Sequence, residues 1–114
     1  MTRTIVITGA SDGIGAASAK QLAQLGEEVV VVGRNPEKTA RVARSLGVDS
    51  FVADFSDLAQ VRELAASLLE KYPRIDVLAN NAGGVFGERT LTTDGYETTF
   101  QVNHLAPFLL TNLL

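Results

Sequence analysis

The sequence predicts an α/β fold in which one parallel sheet carries helices on both of its faces. Three observations support this. Apolar, strand-like segments alternate with amphipathic, helix-like segments along all 114 residues. The segment from Glu28 to Val32 holds four consecutive valines and no polar face, which is typical of a strand covered on both sides. A glycine-rich loop from Thr8 to Gly15 joins the first strand to the first helix. Together they predict half of a Rossmann fold, with strand order 3-2-1-4.

Each element has its own signal in the sequence. β-branched runs predict the strands, and Gly26 and Gly47 mark helix ends because glycine readily adopts the left-handed conformation. Asn35 and Pro36 predict the N-cap and the first residue of the second helix. The third helix must end before Pro73. The predicted strands are residues 4–8, 28–32, 50–53 and 75–79, and the predicted helices are residues 14–25, 36–46, 57–72 and 94 onward.

Composition excludes several classes of function. Ten Lys and Arg residues against thirteen Asp and Glu give a net charge of −3, which argues against a nucleic-acid partner. The chain has no Cys and one His, so we expect no disulfide scaffold and no metal site built from thiolates or several histidines. The absence of Cys fits a reducing compartment, and we expect a cytoplasmic location. No apolar run approaches the roughly 18 residues of a transmembrane segment.

The glycine loop predicts a phosphate-binding site. Its spacing is G-x-x-x-G-x-G, from Gly9 to Gly15, rather than the commoner G-x-G-x-x-G. The loop leads into a helix whose first N–H groups are free and carry partial positive charge, which suits a pyrophosphate. A tight turn without a ligand is the alternative, and the strand before the loop and the helix after it favour binding.

Arg34 follows the second strand, where the residue that reads the adenosine ribose is expected. A carboxylate there would bind the 2′-hydroxyl of NAD, whereas Arg suits the 2′-phosphate of NADP. The alternative is an ordinary solvated Arg, and the negative charge of Asp12 argues against a phosphate nearby. We predict NADP(H) as the preferred cofactor, with NAD(H) as the alternative. Asp54, after the third strand, is either an adenine ligand or a loop-capping residue.

Several segments in the same order resemble the short-chain dehydrogenase/reductase family. They are the loop from Thr8 to Gly15, Asp54, the Asn80-Asn81-Ala82-Gly83 motif, and the segment from Asp94 to Leu105. The last segment is similar to the retinol-dehydrogenase and protochlorophyllide-reductase-like branch. The resemblance implies hydride transfer between nicotinamide and a small carbonyl or alcohol substrate. It implies these cofactor-binding residues: Gly9, Ser11, Asp12, Gly13, Ile14, Gly15, Arg34, Asn35, Asp54, Phe55, Asn81, Ala82 and Gly83.

Asn103 corresponds to the Asn of the family's catalytic tetrad, whose backbone carbonyl holds a water in the proton relay. The residues give an independent hint, because Pro107 has no N–H to bond the Asn103 carbonyl in an α-helix. A proline kink without functional meaning is the alternative. We interpret His104, the adjacent residue, as a packed or surface histidine rather than a catalytic one.

The family's Tyr-x-x-x-Lys motif is absent, since Tyr72 is followed at that spacing by Asp76 and Tyr96 by Phe100. We therefore interpret residues 1–114 as a dinucleotide-binding half-domain cut before the catalytic segment. A non-catalytic dinucleotide-binding or regulatory module, complete as written, is the alternative, and a flavodoxin-like or receiver-like domain is a third. The last helix is expected to expose Leu105, Leu109 and Leu113, and we expect a homo-oligomer formed through it.

Overall fold

A computed structural model describes residues 2–84 and 87–114. Four strands form one parallel sheet in the order β3-β2-β1-β4, which confirms the predicted fold class and strand order. In the register of the sheet, Ile5 lies between Val29 and Val77. The strands are β1 (Thr4–Thr8), β2 (Glu28–Gly33), β3 (Asp49–Val52) and β4 (Val77–Ala79).

The first three helices follow their strands as predicted, and both ends of α2 match the expected caps. Asn35 caps the second helix, since its Oδ1 accepts a hydrogen bond from the Lys38 N–H at 2.9 Å. Gly47 ends that helix with a φ of 68°. The helices are α1 (Gly13–Gln24), α2 (Pro36–Leu46), α3 (Leu58–Lys71), α4 (Thr98–Phe100) and α5 (Ala106–Leu113), with a π-helical turn (Gln101–Leu105) joining the last two.

The valine run of β2 is buried on both faces because successive side chains of a strand point to opposite sides. Val30 and Val32 pack with α3 and α5, whereas Val29 and Val31 pack with α1 and α2. Each layer of helices therefore covers its own half of the valines. Within the described part of the chain, every helix is too short or too polar to span a bilayer.

β4 is shorter than the predicted segment 75–79. The Asp76 carboxylate takes the place of a backbone partner, since its Oδ2 accepts a hydrogen bond from the Thr4 N–H at 2.8 Å. This bond also lowers the pKa of Asp76, and the Arg74 guanidinium lowers it further. Regular strand pairing therefore begins only at Val77.

The last helix does not begin near Asp94, as the sequence suggested, but at Thr98. Gly95 adopts a left-handed conformation, with a φ of 85°, which interrupts any helix there. Glu97 is the actual N-cap, and its carboxylate accepts hydrogen bonds from the Thr99 and Phe100 N–H groups. These backbone bonds hold the pKa of Glu97 below its usual value. Asp94 instead accepts a hydrogen bond from the Leu58 N–H at the start of α3.

The exposed face of the last helix also differs from the expected one. Leu105, Leu109 and Leu113 are half-buried, and the last two pack against the core. The face that reaches solvent carries Phe100 and Phe108, which are 50% and 62% exposed. The π-helical turn inserts one extra residue per turn, so the sequence period no longer predicts which side chains face outward.

Tyr72 ties the end of α3 to the start of β3. Its ring is buried, and its hydroxyl donates a hydrogen bond to the Asp49 Oδ2 at 2.6 Å. The bond lowers the pKa of Asp49, and the Lys71 ammonium, 3.0 Å from the same oxygen, lowers it further. Burial first, and the Asp49 carboxylate second, raise the pKa of Tyr72.

The variant Tyr72→Phe should therefore lower the free energy of unfolding by about 1 kcal/mol at pH 7. The lowered pKa of Asp49 adds stability above about pH 4, and this is lost as pH falls further. The raised pKa of Tyr72 adds stability below about pH 10, and this is lost as pH rises further. Urea denaturation should thus show the largest difference between these limits.

Tyr96→Phe is the matched control, because Tyr96 is 49% exposed and its hydroxyl makes no hydrogen bond to any described residue. The loss of unfolding free energy in Tyr72→Phe should depend on pH and exceed that in Tyr96→Phe. A loss that does not change with pH, or an equal loss in both variants, would contradict a stabilising Tyr72–Asp49 hydrogen bond.

Candidate functional site

A cavity of about 360 Å³ opens at the carboxyl ends of the strands, where open α/β sheets bind their ligands. We call it the strand-end cavity. Segments that follow all four strands contribute to its wall. The residues that line it are Thr8, Gly9, Ser11, Asp12, Val32, Gly33, Arg34, Ala53, Asp54, Phe55, Asn81, Ala82, Gly83, Gly84 and Val102.

Nine of the predicted cofactor-binding residues lie in this wall. The structure thus brings together residues from four separate loops. The nine are Gly9, Ser11, Asp12, Arg34, Asp54, Phe55, Asn81, Ala82 and Gly83; Gly13, Ile14, Gly15, Asn35 and Asn103 lie outside the lining.

The Thr8 hydroxyl joins the glycine loop to the loop after β4. It accepts hydrogen bonds from the N–H groups of Asn81 and Ala82, at 3.1 and 3.0 Å, and donates a longer one to the Ala79 carbonyl. The Thr8 side chain is buried. The Ala82 N–H depends on it, whereas the Asn81 N–H also donates to the Ala79 carbonyl at 3.0 Å. Sequence reasoning gave Thr8 no role, and a buried polar residue ending an apolar strand was the available signal.

Two of the loop glycines are required by close packing. A Cβ on Gly9 would lie 2.7 Å from the Ala82 Cα, and one on Gly15 would collide with the Gly9 carbonyl. The Asn81 carboxamide adds a hydrogen bond to that carbonyl at 3.1 Å. These glycines let α1 and the loop after β4 approach the end of β1.

Gly13 is different, because its φ is 59° and nothing lies within 4 Å of where its Cβ would be. It opens α1, whose first N–H groups have no capping partner, since the Asp12 side chain makes no cap hydrogen bond. The loop therefore presents free backbone donors and the positive end of a helix dipole beside the cavity.

The charged end of the cavity holds Arg34 and Asp12. The Arg34 side chain is exposed and forms no ion pair within residues 2–84 and 87–114. The Asp12 carboxylate lies 3.7 Å from the Lys38 ammonium, so the negative charge that counted against a phosphate has a cationic partner. Sequence reasoning missed Lys38, although it stands in the first turn of α2, four residues after Arg34.

Asp54 and Phe55 form the wall of the cavity that follows β3, the strand next to β2. One carboxylate oxygen of Asp54 accepts hydrogen bonds from the Ser56 N–H at 2.9 Å and the Ser56 hydroxyl at 2.7 Å. This turn fixes the carboxylate at the cavity edge. The Phe55 ring is buried in the core, and its backbone carbonyl accepts a hydrogen bond from the Gln101 amide.

Gln101 is a buried polar side chain that sequence reasoning did not single out. Its Nε2 donates to the Phe55 carbonyl at 3.1 Å and to the Asp94 carboxylate at 3.2 Å. Its Oε1 accepts a hydrogen bond from the Thr92 hydroxyl at 2.7 Å. All polar atoms of this side chain therefore have partners, and it connects the last helix to the segment after β3.

Asn103 lies in the π-helical turn, close to the strand-end cavity. Its carboxamide donates to the carbonyls of Gly84 and Thr99, at 2.7 and 2.9 Å, and accepts a hydrogen bond from the Gly84 N–H. Pro107 follows the turn and has no N–H to bond the Asn103 carbonyl in an α-helix. π-helical turns within α-helices are frequent at functional sites.

His104 points to the surface, between Phe100 and Phe108. The ring centroids are 5.2 and 6.2 Å apart, and the rings are stacked. We call these three residues the aromatic ridge. No cluster of His, Cys, Asp or Glu side chains suited to a metal ion occurs in the described ranges.

The sheet order, the glycine loop and the strand-end cavity define a Rossmann-like α/β protein. The family model described as short chain dehydrogenase matches residues 3–114. The chain therefore belongs to the short-chain dehydrogenase family, as its resemblance implied.

Similar proteins include two curated relatives. DnrU of Streptomyces sp. (strain C5), named as a daunorubicin C-13 ketoreductase, is 57% identical over 98% of this chain and 41% of its own length. Human retinol dehydrogenase 13 is 39% identical over 98% of this chain and 36% of its own length. The chain thus spans about two fifths of these relatives.

A solved structure of a short chain dehydrogenase from Shigella flexneri, complexed with NADP, superposes with a TM-score of 0.83. The two chains are 32% identical, and the match covers 98% of this chain and 52% of that one. These comparisons confirm the Rossmann-like fold and the family.

If the Thr8 hydroxyl holds the loop after β4, Thr8→Val should cost about 1–3 kcal/mol of unfolding free energy, because the Ala82 N–H loses its acceptor and the Asn81 N–H keeps only the Ala79 carbonyl. Thr8→Ser keeps the hydroxyl and loses one methyl group, so we expect a cost near 0.8 kcal/mol. Urea denaturation would measure both. A Val variant at least as stable as the Ser variant would refute this role of Thr8.

Proposed function

We propose that this chain is the NADP(H)-binding half of an oxidoreductase that moves a hydride between nicotinamide and a carbonyl or alcohol carbon. The observation that carries the proposal is the strand-end cavity, with a glycine loop on one side and Arg34 at its charged end. Membership of the short-chain dehydrogenase family and the NADP complex of the Shigella flexneri structure support it.

The residues present fit a dinucleotide. The open position at Gly13 and the uncapped start of α1 suit a pyrophosphate, which we assign to the backbone from Gly9 to Gly15, including Ser11, Asp12 and Ile14. Arg34 would hold the 2′-phosphate, with Asn35 beside it. Asp54 has a carboxylate oxygen outside its turn for the adenine amino group, and Phe55 would flank the ring. Asn81, Ala82 and Gly83 would line the remaining wall.

The bound cofactor would supply the hydride, and this chain's residues would orient it. Asn103 is assigned the family role, in which its backbone carbonyl holds a water of the proton relay. Its side chain is already engaged with Gly84 and Thr99, which supports a role for the backbone rather than for the carboxamide. The π-helical turn places this irregular backbone near the cavity.

The substrate class we propose is a small molecule with a ketone, aldehyde or secondary or primary alcohol group. The names of the relatives, a ketoreductase and retinol dehydrogenases, support this class. We propose a cytoplasmic location, which the cysteine-free composition supports.

Arg34→Gln should raise the dissociation constant for NADPH by about 10- to 50-fold, because a charge-assisted hydrogen bond to phosphate is lost. The dissociation constant for NADH, which lacks the 2′-phosphate, should change less than about threefold. Nucleotide fluorescence titration measures both constants.

Arg44→Gln is the matched control, since Arg44 is an exposed residue in the last turn of α2, away from the cavity lining. Equal affinity of the unaltered protein for NADPH and NADH would contradict the NADP preference. Binding of neither nucleotide would contradict the proposed function.

We also propose a homo-oligomer formed through the last helix. The support is the aromatic ridge, whose two phenylalanines are half or more exposed on one helix face. An apolar ridge of this kind gains free energy when a second surface covers it.

Phe108→Asn should therefore weaken self-association about tenfold or more, since each copy would lose a buried aromatic side chain. Sedimentation velocity over a concentration series measures the change. Leu25→Asn is the control, because Leu25 is 76% exposed at the end of α1, outside the ridge. Unchanged association of the Phe108 variant would rule out this surface.

A further inference from the structure

The wall of the strand-end cavity that follows β3 is built from a segment outside any strand or helix. We call Asp54, Phe55 and Ser56 the wall segment, and its first two residues line the cavity. β3 ends at Val52 and α3 begins at Leu58, so the hydrogen-bond ladder of neither element extends through the segment. Its peptide groups therefore need partners from elsewhere in the chain.

Two glutamine side chains supply such partners. The Asp54 N–H donates a hydrogen bond to the Gln60 Oε1 at 2.9 Å, and the Phe55 carbonyl accepts one from the Gln101 Nε2 at 3.1 Å. Gln60 stands in the first turn of α3, whereas Gln101 opens the π-helical turn. The wall segment is thus held at two successive residues by side chains from two different helices.

The partners of Gln101 fix the direction of its amide. The side chain is fully buried, and its Nε2 meets the Phe55 carbonyl and the Asp94 carboxylate, both of which only accept hydrogen bonds. The amide oxygen therefore faces the Thr92 hydroxyl, which donates to it at 2.7 Å. An apolar side chain of the same length would leave the Phe55 carbonyl without this donor.

The wall segment presents the Asp54 carboxylate at the edge of the cavity. Its Oδ1 accepts both hydrogen bonds from Ser56, and its Oδ2 has no hydrogen-bond partner within the described ranges. An ionised carboxylate oxygen accepts hydrogen bonds and cannot donate one. The free oxygen therefore suits a ring amino group and opposes a ring carbonyl oxygen, and a displacement of about 1 Å would weaken that distinction.

We propose that Gln60 and Gln101 are positioning residues for base recognition. They hold the backbone of the wall segment so that the Asp54 carboxylate accepts a hydrogen bond from the adenine amino group and rejects a base with a carbonyl oxygen in that place. Neither glutamine lines the cavity, so both act through the wall segment. This inference rests on the proposed binding of NADP(H).

The test compares dissociation constants for NADPH and for its hypoxanthine analogue, in which a carbonyl oxygen replaces the adenine amino group. Fluorescence of the reduced nicotinamide reports both. The unaltered protein should bind NADPH about tenfold more tightly, since a charge-assisted hydrogen bond depends on the amino group. Gln101→Met keeps the length of the side chain and loses its hydrogen bonds, so it should lower this preference at least about threefold.

Gln60→Met releases the Asp54 N–H from a half-buried position, so it disturbs the core less than Gln101→Met. We expect it to lower the preference about twofold or more, and it decides the matter if the Gln101 variant does not fold. Gln21→Met is the matched control, because Gln21 is an exposed residue of α1 outside the cavity lining.

A further variant examines the Asp54 carboxylate itself. Asp54→Asn can keep its oxygen toward Ser56 and place an amide N–H where the free oxygen was. The preference should then reverse in favour of the hypoxanthine analogue, whose carbonyl oxygen accepts that hydrogen bond.

The ratio of the two constants separates positioning from a merely structural role, because a smaller folded fraction weakens both nucleotides equally. Equal weakening of both nucleotides in the Gln60 and Gln101 variants would therefore overturn the inference, as would an equal change of the ratio in Gln21→Met. An unaltered protein that binds NADPH and the analogue equally, or an Asp54→Asn variant that still prefers NADPH, would also overturn it and leave NADP(H) binding standing. Binding of neither nucleotide to the unaltered protein would instead refute the proposed function.

Discussion

The close approach of the glycine loop to the loop after β4 is the constraint on which the cavity depends. The Thr8 hydroxyl accepts hydrogen bonds from two N–H groups of that loop, and Gly9 leaves no room for a side chain beside Ala82. Since β1 lies between β2 and β4, this contact fixes the middle of the carboxyl edge. The remaining walls are then set by the strands on either side.

Charge is distributed unevenly around this edge. Free backbone donors lie at the start of α1. The side-chain cations Arg34 and Lys38 come from the segment after β2, and Lys38 lies 3.7 Å from Asp12, the N-cap of α1. The chain as a whole is acidic, so these cations act through their position rather than through net charge. Local placement, not composition, makes this end suited to an anion.

The fold could be predicted because its signals are local and repetitive. Four valines in a row, alternating strand and helix patterns, and glycine and proline at helix ends specify the sheet and most of its helices. The motif from Asn80 to Gly83 could be recognised in the sequence. Its hydrogen-bond partner Thr8 could not, because the two lie more than seventy residues apart. Lys38 and Gln101 escaped notice for the same reason, since their partners lie on other elements.

The last helix shows where periodicity stops being informative. A left-handed Gly95 delays its start, and the π-helical turn rotates its faces, so the leucines expected at the surface lie half-buried and the aromatic ridge replaces them. Neither feature can be inferred from the hydrophobic pattern alone. The assignment of Asn103, by contrast, rests on family resemblance, which compares whole motifs rather than periods.

Gln101 has a mechanical consequence for the molecule. The buried Gln101 amide donates hydrogen bonds to the backbone after β3 and to the Asp94 carboxylate, which also accepts from the first N–H of α3. Its oxygen accepts a hydrogen bond from the Thr92 hydroxyl. The wall formed by Phe55 and the helical turn that carries Asn103 are therefore parts of one stiff frame. Because these hydrogen bonds link the two regions, the fold itself helps to set the distance between them.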